Sequence, residues 1–337
     1  MTFTPHKTLV VRPAHSPLRG EVGVPGDKSI SHRVLLFGAL AEGETRAIGW
    51  LPAEDCLATV RVLRALRVKI SFDEPTSVRV QGVGLQGLRE PEDALDCGGS
   101  GTTMRLLAGI LAGQPFTSIM TGNAALRRRP MGRIAVPLRA MGAEILSREM
   151  DGQEKPPLAI RGGGLRAIEY VMPMASAQVK SALLLAGLFA GGTTLVQETG
   201  PARDHTERLL RAMGAPLRVE GSCVSIESPR EPLRPLGATN DGVNVPGQAY
   251  RIPGDLSSAA FPLVAATLVR NSAVRLANVG VNPTRTGLLD MMGAMGVELR
   301  LEKLSDTDVE PTADLIVQGT ELSGIEVGGE WVVRSID

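Results

Sequence analysis

Apolar positions in this chain follow a pattern that returns four times: a run of helical period closing on a small pair, then a short alternating run. The copies are VLRALRVKISF (62–72), PLRAMGAEIL (137–146), LLRAMGAPLRV (209–219) and LLDMMGAMGVELRL (288–301). With Arg67, Gly142, Gly214 and Gly296 as markers, the intervals are 75, 72 and 82 residues. Glycine at such a marker predicts a helix C′ position, where the backbone turns toward a strand. Within each period a second helix opens on a small, polar stretch: GDKS (26–29), GGSGTT (98–103), ASAQVKS (175–181) and PGDLSS (253–258). The runs MRLLAGILAG, ALLLAGLFAG and AAFPLVAATL that follow three of these are apolar nearly all round and predict helices buried on most sides. The small residues of AGILAG and AGLFAG read as close helix packing. SVRVQG (77–82), TTLVQE (193–198) and AVRLANV (273–279) alternate as strands do. The result is an α/β chain of βαβαββ modules, four complete and a fifth barely begun at WVVRSID. That count predicts a fragment or a truncated reading frame.

At 337 residues the chain predicts about two domains. Basic and acidic residues number 36 each, so no overall field favours nucleic acid or a membrane surface. Ten aromatic residues are too few for stacking platforms on single-stranded nucleic acid. Six of the 36 basic residues are lysine, which draws notice to Lys28 and Lys180. Cys56, Cys97 and Cys223 show no CxxC spacing, and the four histidines form no HxxxH or HExxH pattern. Neither a disulfide framework nor a protein-bound metal is expected, nor any other cofactor. No apolar window approaches membrane length and no leader pattern opens the chain, so the expectation is a cytoplasmic protein.

The densest chemistry lies in PGDKSISHR (25–33). A Pro-Gly turn hands an acid, a lysine and a serine to the start of an apolar run. Asp27 or Ser29 can cap the helix; Lys28 and Ser29 stand at its positive end, and Arg33 follows Ser29 by one turn. Free N–H groups, a hydroxyl and two cations suit an anion, although a plain capped surface helix has the same ingredients.

With GSGTTMRLLAG, LRRRPMGRI, ASAQVKSALLLAGL and RDHTERLLRAMG following in order, the chain resembles the 5-enolpyruvylshikimate-3-phosphate synthases (3-phosphoshikimate 1-carboxyvinyltransferases). The motifs PGDKSISHR and SAQVKSA are similar to the second bacterial class. The resemblance implies an inside-out, two-domain enolpyruvyl transferase fold of six modules. Residues 21–248 would form one domain of three modules, and 1–20 plus 249–337 the other, incomplete at its C-terminal side. It implies a monomer that moves the enolpyruvyl group of phosphoenolpyruvate to the 5-hydroxyl of shikimate 3-phosphate, on the route to chorismate. It places Lys28, Ser29, Arg33, Ser176, Ala177, Gln178, Arg203 and Asp337 on shikimate 3-phosphate. Lys28, Gly101, Arg129 and Gln178 would meet phosphoenolpyruvate. Asp337 would be the catalytic aspartate, taking the proton of the 5-hydroxyl, with Lys28 sharing in proton transfer. The family's C-terminal Arg, Lys and Glu residues on phosphoenolpyruvate would be missing, which leaves a shikimate 3-phosphate-binding chain without turnover as an alternative. UDP-N-acetylglucosamine enolpyruvyl transferase, with Lys-Asn at positions 28 and 29, fits less well.

Several residues carry plainer expectations. Arg127 and Arg128 read as a solvated run, and Asp55 and Asp255 as helix caps. His205, without a carboxylate nearby in sequence, reads as structural, and Lys180 either lines the cleft or snorkels. Gly99 stands where the family usually has Asn, which predicts a looser loop. Gly101 in place of alanine implies sensitivity to glyphosate.

Overall fold

The computed structural model describes residues 10, 16–237, 248–305 and 309–336. Its strands are β1 (Arg19–Val22), β2 (Glu42–Ile48), β3 (Lys69–Glu74), β4 (Ser77–Val83), β5 (Leu95–Asp96), β6 (Thr117–Thr121), β7 (Glu144–Met150) and β8 (Gln153–Arg161). They continue with β9 (Glu169–Val171), β10 (Thr193–Gln197), β11 (Leu217–Glu220), β12 (Cys223–Glu227), β13 (Tyr250–Arg251), β14 (Ala273–Gly280), β15 (Leu299–Ser305) and β16 (Thr312–Gln318). The helices are α1 (Lys28–Leu40), α2 (Glu54–Ala65), α3 (Gly101–Ala112), α4 (Gly132–Ala140), α5 (Ala177–Gly187), α6 (His205–Ala212), α7 (Leu256–Leu268), α8 (Gly287–Ala294) and α9 (Glu330–Arg334).

The strands make four sheets of four, each with one parallel edge pair and an antiparallel remainder: β13-β2-β4-β3, β5-β6-β8-β7, β11-β12-β10-β9 and β1-β14-β16-β15. This is the repeat seen in the sequence, and it agrees with the modules expected of the inside-out fold. Two of the sheets exchange their parallel edge strand. β1 leaves the start of the chain to pair with β14, and β13 returns to pair with β2.

The helix ends follow the chemistry of the markers. Gly142, Gly214 and Gly296 have φ of 110°, 86° and 91°, as a left-handed C′ residue requires. Arg67 occupies the same position at φ 69°, without glycine's freedom.

The helices α1, α3 and α5 are buried almost from end to end, and the sheets lie outside them. A Cβ on Gly109 of α3 would stand 2.1 Å from the carbonyl oxygen of Ala182 in α5, so the small residues do serve close packing. α7 departs from the expectation of burial on most sides. Its Phe261, Val264 and Leu268 are 80%, 40% and 65% exposed, because it packs on β14 and β16 by one face. Two separate hydrophobic clusters result. One runs from Ile30 to Ile252, and the other from Leu256 to Val317, with Leu18 and Val24 packed against it.

Candidate active site

The starts of α1, α3 and α5 come together, each delivered by a short polar cap. Asp27 caps α1, accepting from Ile30 N at 2.9 Å. Ser100 caps α3 by accepting from Thr103 N at 3.1 Å, and Ser176 caps α5 through Val179 N at 3.4 Å. The first residues beyond these caps are Lys28, Gly101 and Ala177. A chain of hydroxyls ties α1 to α3: His32 Nδ1 to Thr59 Oγ1 at 2.8 Å, then Thr59 to Thr103 at 2.7 Å. Burial, first of all, pushes His32 down to about 3, so the ring is a neutral member of that chain.

Lys28 stands half-exposed at the mouth, 3.6 Å from Asp55. Arg33 is buried behind it. Its guanidinium donates to Ser29 O at 2.9 Å, to Ser181 Oγ at 2.9 Å and to Thr206 Oγ1 at 2.8 Å, linking α1, α5 and α6. Burial lowers its pKa to about 10, still far above neutrality, so the charge stays on. These bonds use three of its five N–H donors.

The second focus is Gly101. A Cβ built there would meet Arg105 Nη1 and Arg129 Nη1, each at 2.9 Å, so two guanidinium groups crowd the bare first turn of α3. Arg105 donates to Gln178 Oε1 at 2.6 Å, and Gln178 Nε2 donates to Thr102 Oγ1 at 3.1 Å. Burial and then the charges of Arg133 and Arg129 lower the Arg105 pKa to about 10. Its buried Nε has no partner among the described residues. Two arginines at a helix N-terminus, with the charge of Arg133 near enough to act on one of them, make a concentrated positive site suited to phosphate or carboxylate. Sequence reading passed over Arg105, although it follows Gly101 by four residues, as Arg33 follows Ser29.

Arg203 lines a cavity of about 210 Å³ between the two cores, with Ser257, Arg285, Leu288 and Arg334. Asp337 lies outside the described residues. Among those residues no helix is long and apolar enough to cross a membrane, and no group of three His, Cys, Asp or Glu could hold a metal ion.

The model of the EPSP synthase (3-phosphoshikimate 1-carboxyvinyltransferase) family matches residues 13–336. The chain belongs to the EPSP synthase family. It is 52% identical over 324 residues to the 3-phosphoshikimate 1-carboxyvinyltransferase of Pelotomaculum thermopropionicum, covering 95% of this chain and 71% of that protein. The corresponding protein of Geobacillus kaustophilus is 49% identical, with 96% of this chain and 72% of that one covered. The EPSP synthase structure from Acinetobacter baumannii superposes with a TM-score of 0.85 at 44% identity, across 96% of this chain and 71% of that one. Members of this family are transferases of the shikimate pathway that use phosphoenolpyruvate.

In this EPSP synthase family member several plainer expectations need correction. Asp55 is no cap; Ala53 holds that position, and Asp55 faces Lys28 from inside α2. Asp255 does cap α7, accepting from Ser257 N at 3.0 Å. Lys180 neither lines the cleft nor snorkels. It is buried between Glu198 at 2.8 Å and Glu207 at 2.5 Å, and those two carboxylates keep its pKa above the ordinary value against the burial that would lower it. His205 has a carboxylate partner after all, Glu310 at 2.7 Å, a contact across 105 residues of chain. The Gly99 turn is held without an asparagine side chain: Ser100 N donates to Cys97 O and Asn123 N to Gly98 O. A Cβ at Gly99 would stand 3.2 Å from Asn123 Nδ2, so that side chain already occupies the neighbouring space.

Proposed function

We propose that the chain transfers the enolpyruvyl group of phosphoenolpyruvate to the 5-hydroxyl of shikimate 3-phosphate, and that it belongs to the second bacterial class of its family. The observation that carries this reading is the Gly101–Arg105–Gln178 contact set. It joins the N-terminus of α3, assigned to phosphoenolpyruvate, to that of α5, assigned to shikimate 3-phosphate. Two anions bound side by side need such shared neutralisation.

In this reading Ser29, Arg33, Ser176, Ala177, Gln178 and Arg203 receive shikimate 3-phosphate. Gly101, Arg129, Gln178 and the added Arg105 receive phosphoenolpyruvate. Lys28, a compact cation at the mouth, bridges the two substrates and assists proton transfer. Asp337 takes the proton of the 5-hydroxyl. The domain bounds 21–248, and 1–20 with 249–337, move to the two crossings, because Val22 pairs in the second core's sheet and Tyr250 and Ile252 belong to the first core; the chain is a cytoplasmic monomer.

The chain spans 71% of the Pelotomaculum protein. That fact favours keeping a second reading, in which the chain binds shikimate 3-phosphate without turnover. Calorimetry with each substrate, followed by an assay of phosphate release, separates the two. Binding of shikimate 3-phosphate and release of phosphate from the substrate pair support transfer. Binding without phosphate release supports the second reading, and no binding at all defeats both.

A further inference from the structure

The chain crosses between its two cores at two matching turns, Pro25-Gly26-Asp27 and Pro253-Gly254-Asp255. They pair back to back. Asp27 N donates to Pro253 O, and Asp255 N to Pro25 O, both at 2.8 Å, with Gly26 opposite Gly254. Each turn ends in an aspartate that caps a helix: Asp27 caps α1, and Asp255 caps α7. Two buried carboxylates are thereby brought close, where their charges repel.

One guanidinium lies between them. Arg285 is 9% exposed, and its Nη1 donates to Asp27 Oδ2 at 2.7 Å. Its Nη2 donates to Asp255 Oδ1 at 3.0 Å and to Ser257 Oγ at 2.7 Å. Burial alone would raise Asp27, but Arg285 leads the influences that bring it net below its ordinary value. Burial and then the Asp27 charge hold Asp255 above its own. The loop that carries Arg285 reaches further. Its Asn282 donates to Asp204 Oδ1 at 2.6 Å and to Glu310 Oε2 at 3.0 Å, at the start of α6.

We propose that Arg285 is a positioning residue: it locks the first turns of α1 and α7, one from each core, in a single register. The second core thus sets where Lys28 and Ser29 stand. The lock is a matter of geometry; only its bearing on shikimate 3-phosphate rests on the function proposed above. A planar fork is required, because three acceptors on two helices must be met from one point. An ammonium group would supply the charge without the span.

The test compares the wild-type chain with Arg285→Lys, which keeps the buried carboxylates neutralised. Amide hydrogen exchange at Ile30 and Ser257, the two capped N–H groups, should quicken at least tenfold. Exchange at Thr103, capped by Ser100 in α3, should keep its wild-type rate. Wild-type exchange at Ile30 and Ser257 would mean that charge alone suffices and would overturn the lock. An equal rise at Thr103 would mean general loosening and would overturn it too. In calorimetry the lysine variant should bind shikimate 3-phosphate at least tenfold more weakly; unchanged affinity beside quickened exchange would remove the link to Lys28 and Ser29. A wild-type chain that binds no shikimate 3-phosphate would defeat the proposed function, while the exchange rates would still judge the lock.

Discussion

A methyl group on Gly101 would land 2.9 Å from one nitrogen of Arg105 and one of Arg129. Both are ends of flexible side chains, so the variant should fold, but its two cations must draw back from the first turn of α3. Glyphosate is longer than phosphoenolpyruvate and has less freedom to follow them. With shikimate 3-phosphate present, Gly101→Ala should weaken glyphosate binding by about tenfold, and phosphoenolpyruvate binding by less. Equal losses for the two ligands, measured by calorimetry, would count against this placement. Residues of this kind were legible in the sequence where local spacing fixes them: Asp27 and Asp255 as caps, Arg33 one turn behind Ser29. Lys180 and His205 were not. Their partners Glu207, Glu198 and Glu310 reach them through tertiary folding, and a charge ringed by distant carboxylates looks in sequence like any charge on a helix.

The four helix ends marked by Arg67, Gly142, Gly214 and Gly296 show how far local signals carry at the scale of elements. All four residues are left-handed, yet one is an arginine at φ 69°. A side chain costs about 1–2 kcal/mol in that conformation, while glycine forfeits about 0.5–1 kcal/mol of unfolded-state freedom. The contact of Arg67 with Glu92 is exposed, and such pairs contribute little. Arg67→Gly should therefore stabilise the chain by about 0.5–1 kcal/mol, read as a raised denaturation midpoint; a lowered midpoint would show that the ion pair matters more than the backbone. The same periodicity foretold α3 and α5 correctly and misjudged α7. An apolar sequence states that a helix can be buried, but the neighbours that would bury it are not written in its own residues.

The whole molecule has two cores, each completed by a strand from the other side of a crossing. Trp50 reports on the first, buried and tilted against Phe72 at 5.2 Å between ring centroids, and Trp331 reports on α9, which packs on α8 of the second. Fluorescence of Trp50→Phe and Trp331→Phe variants should give coincident unfolding midpoints, because β1, β13 and the Arg285 contacts tie the cores into one cooperative unit. An earlier midpoint for Trp331 would show that the α8–α9 side of the second core parts from this unit. The module count was visible in the sequence as a repeat. That the chain's start joins the second core followed from the resemblance, but the return of β13 to the first did not, since β13 is two residues long and too short to carry a periodic signal.

That exchange has a mechanical consequence. The cores are joined by two antiparallel spans held side by side, rather than by one loose tether. A single tether transmits tension and little else. Two coupled spans also resist torque, so swivelling one core on the other would shear the pairing of Gly26 with Gly254. The compliant direction that remains is a bend about the line of those two glycines, like a strap hinge with a single axis.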